Sequence, residues 1–372
     1  MLLINILKIM DNGINQKRNQ NIVYSNNEIR IKNTYCMLTK SKIGSGSFGE
    51  IYNGYNIHTK EKLAFKLELN TTKSPQLAQE YKVLKGLSGY TGFTQVYYFS
   101  SLGEDKIMIM ELLGQNLEEL IKKMNPRRFS LKSVLMIADQ MLVRLNTLHD
   151  KDYIHRDLKP ENCVIGLNKK ENIIYLIDFG LSRRFRDGRT GEHIPYKEGK
   201  NILGTIRYVS IYTHYGIEQS RRDDIESLGY ILVYLAKGIL PWQGIKAKTQ
   251  KEKYNVIKNS KLENKPEILC YGLPDEFRQY FEYIRGVEFT ERPDYNLLRG
   301  LFNKSMVKMD FVNDSVFDWC KLNQPIDIYQ NHVPIYDMSE ILKKLESLKK
   351  NKGDKEFNTK KKESLTSEKQ NK

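Results

Sequence analysis

The stretch that most restricts how this chain can fold is His155-Arg156-Asp157-Leu158-Lys159-Pro160-Glu161-Asn162, followed a short way on by Asp178-Phe179-Gly180. It gathers two carboxylates, an ammonium and an amide that must converge on one reacting centre. Such a set suits the movement of a phosphoryl group, which asks little covalent help of a protein and much positioning and cancellation of negative charge. In that chemistry Asp157 accepts the proton of the acceptor hydroxyl and Lys159 stands on the phosphate side. Asn162 and Asp178 hold Mg²⁺ against a triphosphate. The chain has 372 residues, 40% of them hydrophobic, enough for two lobes and tails around such a centre.

The periodicity supports that division. Residues 1–34 are rich in Asn, Ile and Lys, show no clear period and read as an N-terminal extension. Residues 36–43 and 50–57 read as strands around a glycine turn, and Leu63–Leu69 as a third. Leu77, Val83, Leu84 and Leu87 give residues 76–87 helical spacing. Residues 95–99 and 106–110 read as two more strands. After Leu113-Gly114 the texture becomes helical, over 117–123, 131–150, 222–237 and 276–285. An α+β, bilobal chain is predicted, with a small β-rich lobe over 35–113 and a larger helical lobe over 114–322. A connector at Glu111–Gly114 would let the lobes hinge over a nucleotide. The Lys-rich tail, 323–372, offers one amphipathic stretch at 339–350. Beyond it there is too little apolar content to offset the entropy of ordering, so disorder is expected.

Composition removes several classes. No apolar run approaches the ~20 residues that span a bilayer. Met1–Met10 is apolar but short, without a basic leader or small-residue cleavage site, and reads as a flanking segment rather than a signal peptide. The four cysteines, Cys36, Cys163, Cys270 and Cys320, are scattered, as expected of free thiols in a reducing compartment. The net charge of +15, with a pI near 9.3, suits acidic or phosphorylated partners, or is simply solvated lysine. A nucleic-acid binder should show a basic stripe with interleaved aromatics, whereas the densest lysine run lies in the tail.

Upstream, Gly44-Ser45-Gly46-Ser47-Phe48-Gly49 lies between two strands, where glycines let backbone amides approach phosphates. A strand, Ile51-Tyr52, follows this loop, which argues against a dinucleotide fold, where a helix would follow. No Gly-Lys-Ser/Thr follows either, so it is not a Walker loop. Lys66, on the next strand, can reach the α- and β-phosphates if a carboxylate orients it, and Glu80 is the candidate. Ile43 opens the loop. Ile51, Ala64, Val164 and Ile177 would sandwich a purine ring whose edge pairs with the backbone of Met110, Glu111 and Leu113. Each of these apolar positions could equally be ordinary core.

Over residues 38–310 the chain resembles eukaryotic protein kinases, and among them it is similar to the casein kinase 1 family. The residues that carry this are Lys42–Gly49, Leu176–Leu181, His193-Ile194-Pro195-Tyr196, the long run Gly216–Asp224 continuing through Leu228-Gly229-Tyr230 to Leu240-Pro241-Trp242-Gln243-Gly244, and Glu291–Tyr295. Where most kinases have Ala-Pro-Glu this chain has Ser210-Ile211-Tyr212-Thr213-His214, close to the family's Ser-Ile-Asn-Thr-His. Tyr212 stands for the family's Asn, and Ile206 and Val209 for smaller alanines, larger side chains expected beside the peptide groove.

The resemblance implies a protein-kinase fold and a monomeric, cytoplasmic or nuclear Ser/Thr kinase using ATP and Mg²⁺. It implies protein substrates with acidic or phosphorylated residues upstream of the target hydroxyl. The matching anion-binding positions are Arg207, Gly244 and Lys253, with Lys246 nearby. Asp224 resembles the buried helix aspartate that braces the catalytic loop. The activation segment, Ser182–Thr205, holds few hydroxyls, and the family needs no phosphate there. A tau-tubulin-kinase-like branch and a pseudokinase scaffold are the alternatives. The second requires loss of Lys66, Asp157, Asn162 or Asp178, and all four are present.

Overall fold

The computed structural model describes residues 22–24, 27–46 and 49–321, which fall into two compact units. The amphipathic stretch expected at 339–350 lies outside them.

The first unit ends at Leu113 and holds a seven-stranded antiparallel sheet. Its strands are β1 (Ile22–Tyr24), β2 (Glu28–Ile31), β3 (Tyr35–Gly46), β4 (Gly49–Asn56), β5 (Lys62–Glu68), β6 (Val96–Leu102) and β7 (Asp105–Glu111). The order is β1-β2-β3-β4-β5-β7-β6. Strand β5 runs between β4 and β7, so both of its edges are paired, and its interior reads as a continuous buried run. Leu63, Phe65 and Leu67 point one way into a core with Ile29, Ile31, Met37, Tyr52, Ile107 and Ile109. Ala64, Lys66 and Glu68 point the other way.

Strand β2 belongs to the stretch read as an extension. Glu28-Ile29-Arg30-Ile31 alternates with period two, but four residues are too few to stand out from an Ile-rich background. Helix α1 (Leu77–Gly86) buries Leu77, Glu80, Val83 and Leu84 on one stripe, and Tyr81 stacks on Phe99 of β6 at 4.4 Å. Its N-terminus has no side-chain cap of its own. The buried Glu68 carboxylate accepts from the amides of Gln76 and Leu77 instead.

The second unit runs from Gly114, with residues 89–93 added. Leu176 donates its amide to the Gly92 carbonyl, and Phe93 packs near Phe179 at 6.1 Å. Its helices are α2 (Leu117–Lys123), α3 (Leu131–Asp150), α4 (Ile211–His214), α5 (Arg221–Lys237), α6 (Gln250–Glu263), α7 (Pro266–Leu269), α8 (Asp275–Gly286) and α9 (Tyr295–Lys308). Helix α5 is buried from Arg221 through Leu235, and α3 and α8 pack against it, with α9 on α3. A helix buried on every side is the centre of a helical layer, not its surface, and the charged residues of its first turns are buried with the rest. Four short strands, β8 (Tyr153–Ile154), β9 (Cys163–Ile165), β10 (Ile174–Leu176) and β11 (Arg183–Arg184), form two antiparallel pairs, β9–β10 and β8–β11. The loops between them carry the polar motif with which the sequence began. This β-rich unit followed by a helical one is the α+β architecture expected.

The cysteines are free, with Cys36, Cys163 and Cys270 buried. No helix among the described residues is long and apolar enough to cross a membrane.

Candidate active site

In the first unit the glycine loop is the hairpin joining β3 to β4, with Gly44 facing Ile51, Ser45 facing Glu50 and Gly46 facing Gly49. Ser47 and Phe48 lie outside the described residues. Gly49 has φ +145°, and a Cβ there would sit 2.3 Å from the Leu67 carbonyl oxygen, so only glycine fits. Ile43 is exposed, Ile51 half-buried and Ala64 buried. Met110 and Glu111 close strand β7, where the Glu111 amide donates to the Gln95 carbonyl. Leu113 is the last residue of the unit.

Lys66 Nζ lies 2.5 Å from Glu80 Oε2, with both side chains buried. Burial decides the meaning of this pair. An exposed ion pair contributes ~0–1 kcal/mol. Removing one partner of a buried pair costs about 3–5 kcal/mol, because the other charge is left uncompensated.

In the second unit β8 delivers the chain to His155, and the loop closes through a 3₁₀ turn, Pro160–Asn162, into β9. Asp157 is buried and fully engaged. Its Oδ1 accepts from the Thr205 amide at 2.8 Å and hydroxyl at 2.7 Å, and its Oδ2 accepts from Lys159 Nζ at 2.6 Å. Burial pushes the carboxyl up, but the Lys159 and Thr205 bonds outweigh it and hold the group below the usual carboxylate range. It therefore stands ionised, aimed by three donors. Asn162 spends its amide Nδ2 on the Asp157 carbonyl at 2.9 Å, which directs its oxygen away from that bond. The Asn162 carbonyl accepts from the Ile177 amide at 3.0 Å, which brings Asp178 to the same loop.

Arg156 and Asp178, flanking the site, have φ +69° and +65°. Left-handed backbone at a non-glycine residue costs ~1–2 kcal/mol and persists only where the surroundings impose it. At Arg156 the imposing group is Asp224, on the first turn of α5. Buried, it accepts from the His155 amide at 2.7 Å, the Arg156 amide at 2.9 Å and His149 Nε2 at 2.9 Å. His149 Nδ1 in turn meets the Tyr295 hydroxyl. Burial pushes His149 below the usual histidine range, although Asp224 opposes it. A neutral ring donating to Asp224 and accepting from Tyr295 satisfies both nitrogens. His149, Tyr295 and Thr205 were not singled out as site residues from the sequence. Tyr295 and Thr205 lie well beyond the motif in the chain, and His149, though close before it, sits in a helix with nothing local to mark it.

Arg207, Gly244 and Lys253 are placed less tightly. The Trp242 indole donates to the Arg207 carbonyl at 2.8 Å, which ties Arg207 to the turn that ends at Gly244. Gly244 has φ +78° and open space where a Cβ would be. Lys253 is exposed on the first turn of α6. Among the described residues no hydrogen bond or ion pair joins the three to one another. Of the substituted positions around Arg207, Ile206 is half-buried and the other two turn inward. Val209 is buried, and Tyr212 lies under the Arg222 guanidinium, 3.5 Å from its ring centroid. The buried Lys261 ammonium donates to the carbonyls of Ile206, at 3.1 Å, and Val209, at 2.5 Å. Two of the three larger side chains are thus turned into the fold, Tyr212 against the Arg222 guanidinium and Val209 buried beside the carbonyl that Lys261 holds. Val164 is buried and Ile177 half-buried in this unit.

Asn162 and Asp178 offer hard oxygen ligands one loop apart, the donor type that Mg²⁺ takes along with phosphate oxygens. A family model described as protein kinase domain matches residues 37–306 of the chain.

Proposed function

The chain belongs to the protein kinase family, and we propose that it is a Ser/Thr kinase of casein kinase 1 type. Protein kinases use ATP, typically with Mg²⁺, and act on protein substrates. The finer reading is that the acceptors are Ser or Thr hydroxyls just downstream of acidic or phosphorylated residues. The observation that supports the phosphotransfer itself is the state of Asp157: ionised, buried, and held on both oxygens by Thr205 and Lys159.

A carboxylate so fixed can orient an acceptor hydroxyl and take its proton as the oxygen attacks. Lys159 offsets the charge that builds beside it. Asn162 and Asp178 would hold Mg²⁺, which supplies cancellation of charge on the triphosphate. In the first unit Lys66, kept extended by Glu80, is the cation for the α- and β-phosphates. Gly44, Ser45, Gly46, Ser47, Phe48 and Gly49 form the phosphate-side loop. Ile43, Ile51, Ala64, Met110, Glu111 and Leu113 are the base-side positions there, and Val164 and Ile177 those of the second unit. The run from Gly216 to Gly244 supports the branch. Arg207 tied to the Gly244 turn, with Lys253 on the following helix, supports an anion-reading role, since guanidinium, ammonium and an open amide suit a phosphate.

A peptide-library phosphorylation assay with Mg·ATP tests this. Incorporation into Ser and Thr, enriched in peptides carrying phosphate or acid a few residues upstream, is the expected outcome. Incorporation into tyrosine alone, or none, would overturn it.

A further inference from the structure

Three cations from two segments of the second unit meet on one carboxylate. Arg183 Nη1 lies 2.8 Å from Glu218 Oε2, Lys200 Nζ 3.2 Å from the same oxygen, and Arg156 Nη1 4.0 Å from Oε1. Glu218 is buried, while its partners are exposed to between 17% and 42%. A buried carboxylate ringed by exposed cations is the inverse of a surface salt bridge, because the anion is fixed and the cations are gathered to it. The backbone repeats the connection. The Glu218 amide donates to the Lys197 carbonyl and the Lys200 amide to the Gly216 carbonyl, both at 2.8 Å, and Gln219 Nε2 donates to the Leu203 carbonyl at 2.9 Å.

What converges there is the chemistry's own frame. Arg156 precedes Asp157 and donates its Nε to the Leu181 carbonyl at 2.8 Å, next to Asp178-Phe179-Gly180. Arg183 and Lys200 lie within the activation segment, and Thr205 at its end holds Asp157. Kinases commonly order this segment by phosphorylating it, so that a new anion pairs with arginines. Of the segment's four hydroxyl side chains, Thr205 bonds Asp157, Ser182 is buried, the Tyr196 hydroxyl donates to Glu198 at 2.8 Å, and the exposed Thr190 hydroxyl accepts from the Glu192 amide at 3.2 Å.

We infer that Glu218 is the resident anion of the activation segment, a positioning residue that gathers Arg156, Arg183 and Lys200 and so aligns Asp157 without a loop phosphate. This rests on the kinase reading above. Burial pushes Glu218 up, but Lys200 and Arg183 outweigh it and keep it below the usual range, so the anion is present throughout the working pH range. Without it, Arg156 and Arg183 would face each other uncompensated, and the segment would lose its tie to the catalytic loop.

The test uses the full chain and an acidic peptide substrate, with kcat, KM for ATP, and thermal unfolding read together. Glu218→Gln should lower kcat at least ten-fold with KM for ATP within about two-fold of wild type. In Glu218→Ala, which unlike the isosteric glutamine vacates the place, added inorganic phosphate at millimolar levels should restore part of the loss, with no gain in wild type, since a free anion can then fill it. Glu218→Asp should retain most of the activity. If Glu218→Gln does not fold, the Arg183→Gln, Lys200→Gln pair removes the partners instead and should lower kcat in the same way. Wild-type kcat should survive phosphatase treatment. An inactive wild-type chain would sink the kinase reading. An active wild type with a fully active Glu218→Gln, or a loss in Glu218→Ala that phosphate does not relieve, would sink the role of Glu218 alone.

Discussion

At the scale of single residues the site depends on which groups are kept charged and which neutral. Asp157 is kept ionised although burial works against it, and the Thr205 and Lys159 bonds are what prevail. Asp157→Asn preserves shape and removes the base. It should lower kcat by about 10²–10⁴-fold, the usual worth of a positioned general base, while binding of a nucleotide analogue stays within two-fold. A variant turning over at wild-type rate would remove Asp157 from the proton transfer. His214 is the opposite case. It is buried with both ring nitrogens unpaired, and burial, with Lys261 and Lys258 nearby, pushes it down to about 3. Unfolded, it titrates near 6.5, so between these values only the unfolded chain takes up the proton. The stability that a neutral His214 contributes is therefore present above pH 6.5 and lost as pH falls toward 3, by at most about 1.4 kcal/mol per pH unit. Asp223, pushed up by burial to about 7, acts in the other direction over part of this range, so the wild-type curve alone would hide the effect. The difference isolates it: relative to wild type, His214→Phe should gain stability steadily from pH 6.5 to pH 4 in chemical denaturation.

At the scale of elements the same contrast explains what could be read in advance. The strands flanking the glycine loop, the helix carrying Glu80, and the helices at 117–123 and 131–150 announce themselves by period, because each buries one face. Helix α5 is buried on every side and was found by its motif as much as by its spacing. The short strands β8 to β11 have two or three residues each and no pattern to detect. The linear motif names Asp157, Lys159, Asn162 and Asp178, since two short loops close together in the chain carry them. It cannot name His149, Tyr295 or Glu218, whose partners are distant in sequence and are fixed only by helix packing. Lys261 on α6 is another such residue, an ammonium inside the fold that holds the carbonyls on both sides of Arg207. Lys261→Met fills the space but leaves two buried acceptors unsatisfied, each costing roughly 1–3 kcal/mol, offset in part by removal of a buried charge. A net loss of about 2 kcal/mol is expected, or about 4–8 °C in Tm for a domain of this size. Because the slackened segment carries Arg207, KM for a phosphorylated peptide should rise more than KM for its unphosphorylated twin. Equal changes would show that Lys261 serves stability only.

At the scale of the whole molecule the question is how the net charge of +15 divides between a general field and a local reading of the substrate. The two respond differently to salt. Screening acts over ~10 Å at 0.1 M and ~3 Å at 1 M, so a field summed from scattered lysines fades first, while a direct contact of the kind proposed at Arg207 would persist. Raising NaCl from about 50 to about 500 mM should therefore raise KM for any acidic peptide several-fold and change kcat little. At either salt a peptide phosphorylated upstream of its target should keep an advantage over one carrying only carboxylates, because a guanidinium and an open amide recognise phosphate by geometry as well as charge. Replacing Arg207 and Lys253 together by glutamine should abolish that advantage at both salts and leave most of the salt slope, which belongs to the remaining cations. Should the advantage vanish with salt alone in the wild-type chain, the basic surface would be acting only as a field. Should the double variant keep the advantage, phosphate would be read elsewhere than at the Gly244 turn.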